Sequence, residues 1–462
     1  MSDQAQEFIK ASESKAFDKN HRKTINFNIS RYDAAVPRGK QQYQNLNLAK
    51  ERASHLKYKA INDLDKYLVE FEANFITRGG KVIWAQDGDE AIKEVLNILK
   101  KYDARYVVKS KSMITEEIEL NHHLQENKVE SLETDLGEYI VQLAGEKPYH
   151  IITPAMHKSK EDIAELFNEK FGVPKDATPE QITAFVRRLL RDKFTSADVG
   201  ITGGNFLIAD IGGVALTENE GNGVMTVSFP KIHISIVGIE KIIPSLKDLD
   251  LFWPLLSTHG TGQNITVYNT IMTGPRQENE TDGPVEMYVI LLDNGRTELL
   301  EQEEQRRALS CIRCGACLNG CPIYKNIGGH AYGTTYSGPI GSVITPYMRG
   351  LEEFKHLSFA SSLCGKCTEV CPVKINLHEL LLYNRNDAIE QGYTTKMDRF
   401  VMYVYKKVMM KRWLLEKGSP KIKNYVLKKF FSKPWGPRRE IPVINSKSFN
   451  HLWKEQRGIG KK

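Results

Sequence analysis

Seven cysteines are the most chemically loaded feature of this sequence, and all seven fall between Cys311 and Cys371. Four form the run Cys311-x2-Cys314-x2-Cys317-x3-Cys321-Pro322. Cys364, Cys367 and Cys371-Pro372 repeat its later part, with Ser361 where a fourth cysteine would stand. An odd number crowded into one stretch does not read as a disulfide framework, and in a reducing compartment it reads as thiolate ligation. The run of four has the spacing of bacterial-type ferredoxins. There, three close thiolates wrap one corner of a cubane and the fourth reaches to the other cluster. Carrying that exchange over gives one cluster on Cys311, Cys314, Cys317 and Cys371, and a second on Cys321, Cys364 and Cys367. Zinc is the competing metal, but seven thiolates do not divide into two four-thiolate sites. The second cluster has three readings: a [3Fe–4S] with Ser361 as bystander, a [4Fe–4S] whose odd iron takes solvent or another side chain, or ligation by Ser361 Oγ. A serine alkoxide is a harder ligand than thiolate, which favours the first two. The expected cofactors are two [4Fe–4S] clusters, with a second [3Fe–4S] as the alternative.

The elements that must position these thiols follow from pattern. Residues 1–68 read as a polar helical segment, with Leu56, Ala60, Leu64 and Leu68 at helical spacing. From Lys81 onward, short apolar strands (KVIWA, RYVVKS) alternate with amphipathic helices (DEAIKEVLNILKKY, EQITAFVRRLLRDKF), which indicates an α/β domain with a largely parallel sheet. TEEIELNHHLQEN reads as a helix capped by Thr115, and YHIITPAMH as a further strand. Residues 199–237 are glycine-rich and β-branched, as expected of short strands, and ITVYNTIMTGP and VEMYVILLDNG add two more. RTELLEQEEQRRAL reads as the helix that leads into the cysteines. The resulting division is 1–68, 69–296 (α/β domain), 297–390 (two-cluster domain) and 391–462.

Outside the cysteines the signals are weaker. Glu218-Asn219-Glu220-Gly221-Asn222 should be a loop at a strand's carboxyl end, where open α/β sheets bind ligands. Glu218 and Glu220 are therefore candidate catalytic groups, although Asn and Gly there also suit a plain turn. Thr202-Gly203-Gly204-Asn205 can offer backbone N–H groups to an anion such as a carboxylate, or be a tight turn. His259 is a candidate proton carrier in a polar loop, where a lone histidine is more often merely solvated. His122-His123, on an expected exposed helix, receives no role. The glycine turns around His330 and Ser337 lie between the cysteine motifs and should pack over the clusters, tuning their potentials.

Hydrophobic content of 41% and charged content of 26% are ordinary for a soluble globular protein. The N-terminus lacks the apolar stretch of a signal peptide, and no apolar run is long enough to span a bilayer, so a cytoplasmic location is expected. Charge is uneven: from Lys396 to Arg439, fourteen Lys or Arg stand against Asp398 and Glu416. That basic tail, with Val401, Val404 and Val408 on one face, suits an acidic partner protein or contact with an anionic membrane surface; nucleic acid is not expected. Trp413, Phe430, Phe431 and Trp435 are its expected interface residues.

The sequence also resembles the lactate utilization protein B family. The resemblance is carried by LETDLGEYIVQL, GITGGNFLIADIGGVALTENEGN, TGQNITVYNTIMTGPR, GGHAYGTTYSGPIGSVITP and both cysteine motifs, spread over roughly residues 60–390. It implies a lactate-utilization α/β domain, similar to the sugar-isomerase and CoA-transferase group, followed by a mainly α-helical two-cluster ferredoxin-like domain. The CoA-transferase likeness makes a glutamate nucleophile conceivable. It further implies an iron–sulfur subunit of a flavin-independent complex that oxidises L-lactate to pyruvate. Two companion subunits would be expected, one with cysteine-rich repeats and one made of the lactate-utilization domain alone. A small 2-hydroxy acid is the implied substrate, and no flavin or nicotinamide fingerprint is present. The competing functions are a redox- or metabolite-sensing regulator and a reductase subunit acting on another 2-hydroxy acid or a disulfide.

Overall fold

Ten strands carry the α/β part of the chain: β1 (Lys81–Ala85), β2 (Tyr106–Lys109), β3 (Glu130–Glu133), β4 (Val199–Thr202), β5 (Phe206–Ile208), β6 (Gly213–Glu218), β7 (Ile232–Gly238), β8 (Ile242–Ile243), β9 (Tyr268–Met272) and β10 (Glu286–Leu292). The computed structural model describes residues 2–436 and 439–459. Its contacts separate two units, Met1–Ala388 and Ile389–Lys462.

Six strands form one sheet in the order β1-β10-β7-β4-β2-β3, and every pairing is parallel. Side chains alternate across it, so successive residues of β10 serve different layers. Tyr288, Ile290 and Leu292 pack with Ile234, Ile236, Val95 and Leu99 on one face. Met287, Val289 and Leu291 pack on the other with Phe71, Phe75 and a second sheet, β8-β5-β6-β9. Both faces are covered, which is why β7 is buried along its whole length. The helix Pro179–Ser196 forms where the pattern places it, with Pro179 in its first turn and Thr178 and Gln181 making a reciprocal cap.

Because all six strands run the same way, their carboxyl ends meet along one edge. Asp87, Lys111, Asp135, Gly203, Glu240 and Asn294 all follow strand ends there. The cysteine region is joined to the rest by a single core. Ile25 and Ile29 from the N-terminal helices, Leu255 from the helix Leu249–Thr261, and Cys314, Cys317 and Cys371 share that core. The described residues up to 68 are mainly helical, and they pack into the molecule: Lys57 is only 1% exposed.

Three local expectations are corrected. YHIITPAMH is a turn, not a strand. It follows Pro148 and contains Pro154, and Tyr149 N–H donates back to the Pro154 carbonyl (2.9 Å), closing a loop on itself. The helix after β2 is capped by Ser112 rather than Thr115, and it breaks at Glu119, whose φ of 52° is left-handed. RTELLEQEEQRRAL is a short helix, Arg296–Glu301, followed by a 3-10 turn, Gln305–Ser310. Tertiary bonds override its helical propensity: Gln305 donates to Asp387 (2.6 Å) and Tyr347 (2.7 Å), and Arg307 lies over the Tyr58 ring (4.2 Å).

The second unit contains the helices Lys396–Met409, Pro420–Trp435 and Phe449–Gln456. Trp413, Phe430, Phe431 and Trp435 are all exposed. Arg438, one of the fourteen basic residues of the tail, lies outside the described residues.

Candidate metal centre

The two cysteine motifs have the same backbone, offset by fifty residues. Arg313 and Leu363 both adopt left-handed φ (59° and 52°), as do Gly315 and Gly365 (75° and 77°). Each motif then makes one helical turn, Ala316–Gly320 and Lys366–Val370, and the two turns pack together. Cys311 and Ser361 are equivalent in this repeat. Arg313 N–H donates to Cys311 Sγ (3.4 Å), and Leu363 N–H donates to Ser361 Oγ (3.1 Å). Ser361 is further held by Arg385, whose guanidinium donates to the Ser361 and Ser358 carbonyls (both 3.0 Å). The serine hydroxyl thus stands in the place that a sulfur occupies in the first motif.

All seven cysteines are free thiols, and electrostatics sorts them into two groups. Burial, then the neighbouring Cys311 and Cys371, push the Cys314 thiol up, and Cys317 is pushed up by burial and the same neighbours. Cys371 rises to about 11 through burial and Cys311. In the other group, burial and Cys321 with Cys364 raise Cys367 to about 11, and Cys321 feels Cys364. Cys311, Cys314, Cys317 and Cys371 line one small cavity with Ile340 and Ile375. Crowded, dehydrated thiols of this kind are costly to ionise alone, and a thiophilic metal centre supplies the missing positive charge. The donor set and its enclosure fit iron–sulfur clusters. Backbone amides point at the sulfurs: Ile375 N–H donates to Cys371 Sγ (3.4 Å) and Ile340 N–H to Cys317.

Sequence reading missed the charged shell behind Cys311. Arg296 is 1% exposed and donates through Nη1 and Nη2 to both oxygens of Glu117 (2.9 Å each) and through Nε to Glu240 (2.5 Å). Arg313 reaches the other Glu240 oxygen (3.4 Å) and lies over the Tyr336 ring (4.3 Å), and Tyr336 O–H donates to Glu117 (2.5 Å). Despite burial, Arg296, Lys241 and Arg313 hold the Glu240 carboxyl at about 2. Burial lowers Lys57 to about 7, and its ammonium donates to the Glu240 and Ile242 carbonyls (2.7 and 3.0 Å). Burial likewise lowers Lys241 to about 8. Buried Lys57 and Arg296, with half-buried Lys241 and Arg313, thus stand with two carboxylates near Cys311, an excess of basic groups that suits an anionic thiolate centre. Arg313, inside the first motif, was the one visible signal. Glu117, Glu240, Lys241 and Arg296 follow three different strands, Lys57 comes from the helix Leu46–Asn62, and they meet only in the fold.

The weaker candidates are dispersed. Glu218 caps the helix Asn222–Ser228, accepting from Gly223 N–H (2.7 Å) and Val224 N–H (2.8 Å), so both of its oxygens are engaged. Glu220 accepts from Leu136 N–H (3.1 Å) and is raised to about 6 by burial and by Asp135. His259 does not lie in a polar loop. It is 1% exposed within the helix Leu249–Thr261, donates from Nδ1 to the Leu255 carbonyl (2.9 Å), and is lowered to about 4 by burial. Its neighbour Gly260 faces the Cys314 carbonyl, so this histidine belongs to the cysteine side and not with the two glutamates. Thr202-Gly203-Gly204-Asn205 is a tightly packed turn: Thr202 Oγ1 bonds His233, and a Cβ on Gly203 would meet Ser112 Oγ at 2.6 Å. His122 and His123 lie on an outer helix. The turn at His330 packs against Tyr149 rather than over the thiols, because a Cβ on Gly329 would meet the Tyr149 carbonyl at 1.8 Å. The Ser337 turn does reach the cysteine loop, where Gly338 faces Leu318.

Comparison with known proteins agrees with this division of chemistry. A family model described as LUD domain matches residues 68–292, and one described as 4Fe-4S dicluster domain matches residues 307–375. Over 425 residues the chain is 41% identical to "Lactate utilization protein B" of Bacillus thuringiensis (strain Al Hakam), covering 89% of each chain. The same identity and coverage hold for the protein of that name from Bacillus cereus (strain AH187). A crystal structure of a DUF162 family protein from Deinococcus radiodurans covers 50% of this chain and 98% of its own, at 14% identity and a TM-score of 0.29.

Proposed function

Because the chain belongs to the lactate utilization protein B family, we propose that it serves lactate utilization as an iron–sulfur electron carrier. In this reading it is one subunit of a complex that oxidises L-lactate to pyruvate. The grouping of the thiols is the observation that supports it best. Cys311, Cys314, Cys317 and Cys371 hold one [4Fe–4S] cluster. Cys321, Cys364 and Cys367 hold a second, whose fourth position falls at Ser361. When bound, such clusters supply one-electron transfer.

The protein's own groups do the rest. Backbone N–H donors at Cys317 and Cys371, the guanidinium groups of Arg296 and Arg313, and the easily protonated Lys57 and Lys241 favour added negative charge, while the apolar wall of Ile340 and Ile375 excludes water. Oxidation of a 2-hydroxy acid releases two electrons and two protons. The chain carries no dinucleotide fingerprint to receive a hydride, so the first acceptor belongs to a companion subunit. The exposed Trp413, Phe430, Phe431 and Trp435, set among lysines, are the surface offered to such a partner. No helix among the described residues is long and apolar enough to cross a membrane. With unpaired thiols at both sites, that favours a reducing cytoplasmic setting. The division at 69–296 and 297–390 remains part of this reading.

Growth of a strain lacking this chain tests the assignment. It should fail on L-lactate as sole carbon source, grow on glycolate and D-lactate, and recover when the gene is restored. Unimpaired growth on L-lactate, or equal failure on all three acids, would overturn it.

A further inference from the structure

Away from the thiols, Glu146, His157 and His330 bring one ligand atom each to within 4.8 Å of one another. They come from three separate places. Glu146 follows the helix Leu136–Leu143, His157 ends the turn beyond Pro154, and His330 sits in the loop between the cysteine motifs. His157 Nε2 lies 2.5 Å from Glu146 Oε2, and Lys158 donates to the other oxygen (2.6 Å). His330 Nε2 donates to the Lys147 carbonyl (2.7 Å), which fixes its tautomer and leaves Nδ1 with a lone pair. A backbone carbonyl on the far ring nitrogen is the usual support of a metal-bound histidine.

Both rings are held in place. Tyr149 stacks on His157 (centroids 4.7 Å apart, 20° between planes) and meets His330 edge-on at 4.9 Å. The buried Nδ1 of His157 has no hydrogen-bond partner. Burial lowers His157 to about 4 and lowers His330, so both imidazoles are neutral near pH 7. Although burial opposes it, bonds from Lys158 and His157 keep the Glu146 carboxyl below its ordinary range. Neutral imidazoles beside an ionised carboxylate are the protonation states a transition metal needs.

The surroundings also favour a cation. Glu146 and His330 line a cleft of about 780 Å³ at the carboxyl edge of the parallel sheet. Its charged lining is mainly acidic, with Asp87, Asp89, Glu116, Glu117 and Glu119 in addition to Glu146, against Lys147 and Arg349.

We propose that Glu146, His157 and His330 form a mononuclear site for a divalent first-row transition ion, separate from the thiols, with its open positions toward this cleft. Two imidazoles and one carboxylate suit Zn²⁺ or Fe²⁺, and three protein ligands leave room for a small ligand. The ion takes the place of the proton between Glu146 and His157 Nε2, and that proton moves to His157 Nδ1, which has no other partner. Without an ion, the same three groups with Lys158 make a buried ion-pair cluster, and that is the alternative to be tested.

Zinc is the probe, because it is counted separately from cluster iron. The full-length, cluster-loaded chain is equilibrated anaerobically with Zn²⁺, dialysed, and assayed for zinc, iron and sulfide. About one zinc per chain should remain, as for a three-ligand protein site. His157→Ala and His330→Ala should each lose at least tenfold of it, with iron, sulfide and cluster absorbance unchanged. The double variant His122→Ala/His123→Ala, in the other histidine-rich group, should keep it. Glu146→Gln keeps the shape of the side chain but removes its charge, and should weaken zinc retention with iron, sulfide and cluster absorbance unchanged. No retained zinc in the wild type, equal retention in the His157 and His330 variants, or zinc lost only together with iron would overturn the proposal.

Discussion

At the scale of single residues, Ser361 is the position on which the account of the second cluster turns. Its hydroxyl accepts the same backbone N–H that Cys311 sulfur accepts in the first motif, so the fold presents an oxygen where a thiolate would complete the set. Ser361→Cys should therefore be accepted without rearrangement. It should give a second cluster with four thiolates, read as a lower midpoint potential and a changed Mössbauer signal for one iron. Ser361→Ala should make that iron easier to lose, giving a [3Fe–4S] signal after mild oxidation. Identical spectra for all three proteins would show that residue 361 does not face the cluster. A second residue tests the sheet interior. His233 is fully buried, bonded to Thr202 Oγ1, and lowered by burial to about 3 from an ordinary 6.5. Its folded pKa lies below its unfolded one, so between those values the unfolded chain binds the extra proton. The neutral histidine's contribution is complete above about pH 6.5 and is lost as pH falls toward 3. His233→Asn should thus be less stable than the wild type at pH 7.5, with the gap narrowing by pH 5 in thermal unfolding. A gap independent of pH would contradict the assignment.

Among the elements, the strands and most helices were legible because periodicity and caps agreed with the fold. The two-faced burial of β10 shows in its continuous apolar run, whereas β7, equally buried, carries His233 and Ser235 between its isoleucines and is less plainly marked. The failures were segments whose conformation is set from outside. YHIITPAMH has the composition of a strand, but Tyr149 and His150 are pulled into the interface with the cysteine region, and two prolines bound the turn. The ligand spacing could be read in full, whereas Glu117, Glu240 and Arg296 are adjacent only because three parallel strands end together. The join between those strand ends and the cysteine loops should be sterically intolerant. Gly329→Ala would drive a Cβ into the Tyr149 carbonyl, costing about 1–3 kcal/mol as overpacking does. Gly365→Ala meets open space and pays only for its positive φ, about 1 kcal/mol. Calorimetry should rank Gly329→Ala clearly below Gly365→Ala in melting temperature; the reverse order would mean that the loop is not held against Tyr149.

For the whole molecule, the fold sets a doubly covered α/β domain and a repeated cysteine motif around one shared core, to which the N-terminal helices contribute Ile25 and Ile29. Its family membership supplies the metabolic setting, and the site gathers seven thiols into two groups, the first of them beside Cys311 with its shell of basic side chains. A carrier built this way must hold two clusters and accept an electron at each. The most direct measurement is iron and sulfide analysis of the anaerobically purified full-length chain, combined with Mössbauer spectroscopy during reductive titration. The account predicts about eight irons and eight sulfides per chain in two reducible [4Fe–4S] centres, one of them with a single iron lacking thiolate character. Zinc in the thiolate sites, only one cluster per chain, or clusters that take up no electrons would contradict it.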